Sequence, residues 1–321
     1  MLHVRLPQPG KPELDVLSSG KSGLGDLDHA AIVDLYKRHG AILFRGFEVR
    51  LAEFGTFARS FCKTAVVNES PNRQPLDPAN AVHSVDGGNG AFPLHPELSR
   101  EPWKPDVAFF GCLSAPGAGG ETTICDGVDL VRALPEVVRE GLSKRRLVYG
   151  MGTWPALLEY WLGTAKPGDT QLAAPPLGCP YEFARLPDGG VVRHFSRPAL
   201  HQPMFCEEPA FGNFLLFARY NNGRRDFPLL DDLRPVPDAW VEAAKAAGDR
   251  LTRAIAWQQG DVLMLDNTRF MHGRSAIRDV AERRIATFFG YLDFAVVDPE
   301  EPPDPIWRRR EDFVPPRPPI T

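Results

Sequence analysis

The chain has 321 residues, 43% hydrophobic and 24% charged, the balance of a globular protein able to bury a sizeable core in one large or two ordinary domains. A net charge of −4 gives no basic footprint and argues against a nucleic-acid partner. No stretch approaches ~20 uninterrupted apolar residues, which argues against a membrane span. The first residues lack the apolar run of a signal peptide, and five cysteines without a close Cys-x-x-Cys pair read as reduced, mostly buried thiols; the expected location is cytoplasmic.

The 32 prolines and 29 glycines punctuate the whole length, which predicts many short strands and loops rather than a helical bundle. Residues 1 to about 25 read as an irregular or edge-strand lead-in. Asp26 or Asp28 caps a helix with Ile32, Leu35 and Tyr36 on one face, ended by Gly40 after basic Lys37, Arg38 and His39. Residues 41–47 form a buried strand, and Leu51 to Phe61 a second helix with Phe54, Phe57, Ala58 and Phe61 inward. Residues 64–91 show turn chemistry and no long periodic run.

Residues 107–113 are a strongly apolar strand, a Gly-rich loop follows, and 121–125 form a further strand. Val128, Val131, Leu134, Val138 and Leu142 mark one helical segment. Residues about 150–210 hold Trp154, Trp161 and a strand over 190–195, and read as a lid-like insertion in an otherwise single domain over 1–321. Residues 214–220 are expected as a strand, 237 to about 255 as a helix, and 262–265 and 285–292 as strands. The Pro-rich C-terminus from Asp298 is expected to run extended over the surface.

Two stretches carry chemistry. His95 and Glu97 stand two apart, and on an extended segment such residues face the same side. His272 lies in the downstream stretch Asp266-Asn267-Thr268-Arg269-Phe270-Met271-His272. Two imidazoles and one carboxylate, with the opposite positions open, form the facial set that suits non-haem Fe(II) in oxygen chemistry. A zinc-protease site is disfavoured because there is no His-Glu-x-x-His helix. A keto-acid co-substrate on such an ion needs a fixed cation for its far carboxylate. Arg283 or Arg284, just before a strand, can supply it, with a hydroxyl from Thr122.

These stretches, with residues 40–47, Gly119-Gly120-Glu121-Thr122, Trp257-Gln258-Gln259-Gly260-Asp261 and Arg283-Arg284-Ile285, follow one another in an order that resembles the Fe(II)/2-oxoglutarate-dependent dioxygenases of the taurine dioxygenase superfamily. The resemblance implies a mainly β fold with flanking helices, a double-stranded β-helix or jelly roll. It implies Fe(II), 2-oxoglutarate and O2, with iron ligands at His95, Glu97 and His272. It also implies co-substrate contacts from Thr122 and Arg284, with Arg283 kept open because the spacing from His272 to Arg284 is one residue longer than in the taurine enzyme.

Glutamate at 97, where taurine dioxygenase-like members carry aspartate, looks closer to clavaminate synthase and the syringomycin-type amino-acid hydroxylases. No arginine stands at Thr287, Phe288 or Phe289, where the taurine enzyme holds its sulfonate. A carboxylate ligand also argues against halogenation. The expected activity is hydroxylation, desaturation or ring closure of an amino acid or amino-acid-derived metabolite, free or carrier-bound, in secondary metabolism, coupled to decarboxylation of 2-oxoglutarate to succinate. The other reading is a jelly-roll metal- or ligand-binding protein without turnover. Candidate substrate contacts are Arg219, Asn89 and His83, with Ser84, Asn221 and Asn222 nearby.

Overall fold

The computed structural model describes residues 2–20, 23–68, 70–279, 282–310 and 313–316. Glu69 and part of the expected C-terminal tail lie outside them.

Two sheets face each other. The larger has nine strands among the described residues, ordered His3–Arg5, Leu14–Leu17, Ala41–Arg45, Val262–Asp266, Val107–Ser114, Arg284–Leu292, Val82–Ser84 and Pro75–Asp77, with Cys62–Ala65 also paired to Arg284–Leu292. The smaller runs Arg253–Ile255, Thr122–Asp126, Phe270–Arg274 and Phe92–His95. The sequence anticipated its central strands because they are continuous apolar runs, and these are buried on both faces. Leu43, Ala108, Phe110, Leu263 and Leu265 point inward with Ile124, Ile255 and Phe270 of the smaller sheet. Their alternating neighbours Ile42, Phe44, Val107, Phe109, Val262 and Met264 point outward, against Ile32, Tyr36, Phe54 and Phe57 of two helices. Burial of each of these phenylalanines is worth roughly 1.5–3 kcal/mol.

Those helices are His29–His39 and Leu51–Arg59. The first starts where Asp28 accepts from the Ala31 amide and ends at Gly40 in the left-handed region, as its sequence predicts. On the far side, Gly127–Ala133, Glu136–Ser143 and Asp238–Leu251 cover the smaller sheet. The predicted single helix over 128–142 is two, broken at Pro135, which cannot donate within a helix. The helix after Pro237 stops at Leu251, and Arg253–Ile255 is instead a strand.

Three expectations are corrected. Residues 64–91 contain short strands at Pro75–Asp77 and Val82–Ser84. Leu215–Tyr220 is a helix, not a strand; Asn213 Oδ1 accepts from the Leu215 amide at 3.0 Å, a local bond that favours helix initiation. The C-terminal segment turns inward rather than over the surface: Trp307 is buried, and Pro315 and Pro316 reach the main cavity. Arg308 anchors it by pairing with buried Asp106 at 2.8 Å and with Glu301 at 2.6 Å.

A third sheet, Glu182–Arg185, Val191–Pro198, Arg146–Gly152 and Leu229–Leu230, carries helix Pro155–Leu162 and forms much of the region expected as an insertion. Among the described residues, no helix is long and apolar enough to cross a membrane.

Candidate active site

A cavity of about 1700 Å³ opens where the smaller sheet meets the third sheet. Strands Phe92–His95 and Phe270–Arg274 are antiparallel, and His95 and His272 are direct cross-strand partners with ring centroids 4.7 Å apart. The register shifts between His272 and Arg274. Gly273 allows this, because a Cβ there would lie 2.5 Å from the Phe92 carbonyl oxygen.

The strand ends at His95, so Glu97 sits in the following turn rather than on an extended segment as the i, i+2 argument assumed. Its backbone is held instead by Asn267, whose Oδ1 accepts from the Glu97 amide at 2.8 Å and whose Nδ2 donates to the Glu97 carbonyl at 3.1 Å. This brings Glu97 Oε2 to 3.8 Å from His272 Nε2. The bracket is why Asn267, not singled out for the site in sequence, belongs to it.

His95 Nδ1 lies 2.8 Å from the Pro93 carbonyl, which fixes the proton on Nδ1 and leaves Nε2 bare. Burial pushes both imidazoles below the ordinary histidine value, His272 strongly so, with His95 and Arg73 adding to the effect there. Both rings are therefore neutral near pH 7, the form that binds metals. Phe217 and Phe110 pack edge-on against them, at 4.5 Å from His95 and 5.0 Å from His272.

As placed, no three His, Cys, Asp or Glu side chains among the described residues close on one point as a metal cage. The Glu97 carboxylate accepts from Asn68 and pairs with Arg73 at 3.1 Å, and Arg73 also pairs with Asp86 at 2.9 Å. The donor set still fits Fe(II): two neutral imidazoles, one with its bare nitrogen fixed by hydrogen bonding, and one carboxylate. The Glu97 Oε2 to His272 Nε2 separation of 3.8 Å sets the carboxylate beside the imidazole.

Thr122 is buried in the cavity wall, where the Trp257 indole N–H donates to its hydroxyl at 3.2 Å. Of the two candidate arginines, Arg283 lines the cavity and is buried, whereas Arg284 points to solvent. Arg283 Nε donates to the Gly120 carbonyl at 2.5 Å, and its chain lies across Gly120, where a Cβ would stand 2.7 Å from Arg283 Cδ. Gly120 also has φ of +72°, a conformation glycine adopts without strain. Burial and the neighbouring Arg274 pull the Arg283 guanidinium down to about 10, still charged at neutral pH.

The substrate candidates divide. His83, Asn221 and Asn222 line the cavity. Arg219 does not: its guanidinium pairs with Asp238 and donates to the Val236 carbonyl at 3.4 Å, because the segment is a helix that turns it outward. Asn89 is exposed, and its carbonyl accepts from the Ile277 amide at 2.9 Å. Ser84 is held by strand pairing, its hydroxyl accepting from the Gln74 amide at 2.9 Å. Other matched stretches are structural: Arg45 and Asp261 pair at 2.6 Å, tying two of the motifs together. Sequence reasoning passed over Arg73, Arg193 and Arg274, which all line the cavity. Arg274 stands two residues after His272, a signal that could have found it; Arg193 and Arg73 had none.

The sequence profile of the taurine catabolism dioxygenase TauD, TfdA family matches residues 9–288. The clavaminate synthase-like protein At3g21360 of Arabidopsis thaliana is 27% identical over 278 residues, covering 75% of this chain and 78% of that one. Among solved structures, PvcB of Pseudomonas aeruginosa, described as an Fe, alpha-ketoglutarate dependent oxygenase from an isonitrile synthetic pathway, superposes with a TM-score of 0.57 at 16% identity, over 93% of this chain and 94% of that one. A putative alpha-ketoglutarate-dependent taurine dioxygenase from Burkholderia xenovorans gives 0.59 at 13% identity, over 94% and 93%. The structural likenesses bear out the expected jelly roll with flanking helices.

Proposed function

This chain belongs to the taurine catabolism dioxygenase TauD, TfdA family and is an Fe(II)- and 2-oxoglutarate-dependent dioxygenase, and from that premise we propose that it oxidises an amino acid or amino-acid-derived metabolite at the site built on His95, Glu97 and His272. The observation that carries the site is the cross-strand pairing of the two neutral imidazoles beside the Glu97 carboxylate. The substrate class is supported by the clavaminate synthase-like relative and by glutamate in place of aspartate at 97.

Iron with 2-oxoglutarate and O2 supplies an oxidant for an unactivated C–H bond, leaving succinate and CO2. The chain's own residues bind and orient. His95 and His272 present neutral nitrogens, and Asn267 holds the Glu97 backbone so that its carboxylate stays beside them. Arg283 receives the far carboxylate of 2-oxoglutarate, and the Thr122 hydroxyl, already accepting from Trp257, keeps its own proton to donate there. Phe110 and Phe217 exclude water from the imidazoles. With a carboxylate at 97, hydroxylation, desaturation or ring closure is the expected outcome.

Anaerobic binding of Fe(II) and 2-oxoglutarate, followed by succinate release in air, tests this reading. His95→Ala and His272→Ala should each lose iron binding. Wild-type iron affinity in both would remove the ligand assignment, and a wild-type protein that bound neither iron nor 2-oxoglutarate would remove the activity. A substrate screen by mass spectrometry, reading the gain of one oxygen or the loss of two hydrogens, tests the substrate class.

A further inference from the structure

Among the described residues five arginines line the cavity, and four have an evident partner or task. Arg73 is divided between Asp86 and Glu97. Arg100 stands 3.8 Å from Glu101. Arg274 spends three hydrogen bonds on the Asp86 and Gly90 carbonyls, and Arg283 has the co-substrate role given above. Arg193 remains.

Arg193 lies on strand Val191–Pro198, across from Met151, and is only 6% exposed. Its guanidinium stacks on Trp154 at 5.2 Å and on Tyr181 at 5.1 Å, which holds the planar fork in place. One terminal nitrogen donates to the Gly152 carbonyl at 3.0 Å and the other to the Met151 sulfur at 3.7 Å, and the guanidinium also acts on the Tyr181 hydroxyl. The Tyr181 hydroxyl beside it is neutral and donates to Glu101 at 3.2 Å. No carboxylate among the described residues stands within ion-pair distance of Arg193. Its Nε, although withdrawn from solvent, has no hydrogen-bond partner, and the same holds for the indole Nε1 of adjoining Trp154. A buried cation and two orphaned donors side by side are costly unless an acceptor is supplied from outside the chain.

The cavity has room for that acceptor. Small-molecule pockets commonly measure roughly 300–1,000 Å³, and this one, at about 1700 Å³, exceeds what a five-carbon keto acid fills. Met151, Trp154, Leu157 and Trp103 give the wall around Arg193 apolar surface, with Thr153 and Glu101 also lining the cavity. It belongs to the third sheet and its helix, whereas Thr122 and Arg283 belong to the smaller sheet and to the segment before strand Arg284–Leu292.

We propose that Arg193 and Trp154 form a second anion site in this cavity, which takes a carboxylate of the substrate and selects molecules with one carboxylate on an apolar body. The assignment rests on the oxygenase reading above and makes Arg193 a specificity-determining residue. The guanidinium and the indole supply N–H donors for the carboxylate, while Met151, Leu157 and Trp103 pack the rest of the molecule.

The test uses protein loaded with Mn(II) and 2-oxoglutarate, which binds without turning over, and isothermal titration with matched pairs: N-acetyl-L-phenylalanine, N-acetyl-L-leucine and 3-phenylpropionate, each against its primary amide. In the wild type at least one acid binds about 10-fold or more tighter than its amide. Arg193→Met removes that preference, leaving the amide and 2-oxoglutarate affinities within about 3-fold of wild type; Arg193→Lys keeps part of it. Trp154→Phe keeps the ring, loses the N–H, and weakens the acid about 3- to 10-fold without touching the amide. Acids bound no better than amides by the wild type, or a preference that survives Arg193→Met, overturns the proposal. If Arg193→Met fails to bind 2-oxoglutarate, the Trp154→Phe result decides: acid affinity unchanged overturns it. Failure of the wild type to bind Mn(II) and 2-oxoglutarate shows in the first titration, before any acid is added, and removes the underlying reading and this proposal together.

Discussion

Replacing Arg283 by alanine should cripple 2-oxoglutarate binding, while the same change at Arg284 should leave it intact. The magnitude follows from the cost of the empty site. Burial and Arg274 bring the Arg283 guanidinium from 12.5 to about 10, and at about 1.4 kcal/mol for each pH unit that is roughly 3 kcal/mol of unfavourable charge burial. A docking carboxylate relieves that cost, and the Thr122 hydroxyl, present in both proteins, drops out of the comparison. Arg283→Ala should therefore raise the 2-oxoglutarate Kd by about 100-fold or more, within the range for truncating one side of a buried charge pair. The assay is anaerobic titration of the Fe(II)-loaded protein, with iron affinity measured alongside as a control that should not move. Arg284 is exposed on the far side of its strand, and its removal should change Kd by less than about 3-fold. An Arg283→Ala protein within about 3-fold of wild type, or a large loss in Arg284→Ala, would refute the reasoning.

Three further outcomes follow. Gly120→Ala places a methyl 2.7 Å from Arg283 Cδ at a φ of +72°, so it should displace that side chain and weaken 2-oxoglutarate about 10-fold or more in the same titration, with iron binding kept. Asn267→Ala strips three hydrogen bonds, two to the Glu97 backbone and one to the Pro105 carbonyl; it should lower unfolding free energy by about 2–4 kcal/mol in urea and weaken iron, whereas unaltered stability would show that the bracket is not what fixes Glu97. Lys104 is buried, donates to the Gly212 carbonyl at 3.4 Å, and is pulled by burial, with Arg197 adding, from 10.5 to about 7. Between those values the unfolded chain holds a proton that the folded chain has released. Stability contributed through this group therefore rises with pH across that window, by about 1.4 kcal/mol for each pH unit. Lys104→Met should flatten that rise relative to wild type in urea melts from pH 7 to 9; parallel curves would mean that the folded lysine stays charged.

The sequence by itself determined most of the framework and proposed the candidate ligand set. His95, Glu97 and His272 came forward as candidates on residue type and order, and the central strands of the larger sheet announced themselves as apolar runs because both of their faces are covered, whereas the short strands Phe92–His95 and Phe270–Arg274 that carry the two histidines did not. Capping chemistry at Asp28 and Gly40 marked the first helix for the same local reason. The geometry behind Glu97 was a different matter. The i, i+2 rule for strands did not produce the apposition, since the strand stops at His95; a side chain 170 residues away, Asn267, shapes the turn instead.

What tertiary structure alone decided is which side a neighbouring residue faces. Arg283 and Arg284 are adjacent, and the register of strand Arg284–Leu292 against Val107–Ser114 shifts between Arg284 and Ile285. A shift of one residue sends a side chain to the opposite face, so spacing from His272 could not select between them. Arg219 was lost as a substrate contact because its apolar segment is a helix rather than a strand, a choice that short apolar runs leave open. Arg193, in the stretch least legible as sequence, became noticeable only when the third sheet buried it beside Trp154 with no carboxylate among the described residues at ion-pair distance. Composition and periodicity report what a residue is and which elements it favours; whether a buried charge finds its counter-charge is fixed by distant chain segments meeting, and among the described residues that meeting brings no carboxylate to Arg193.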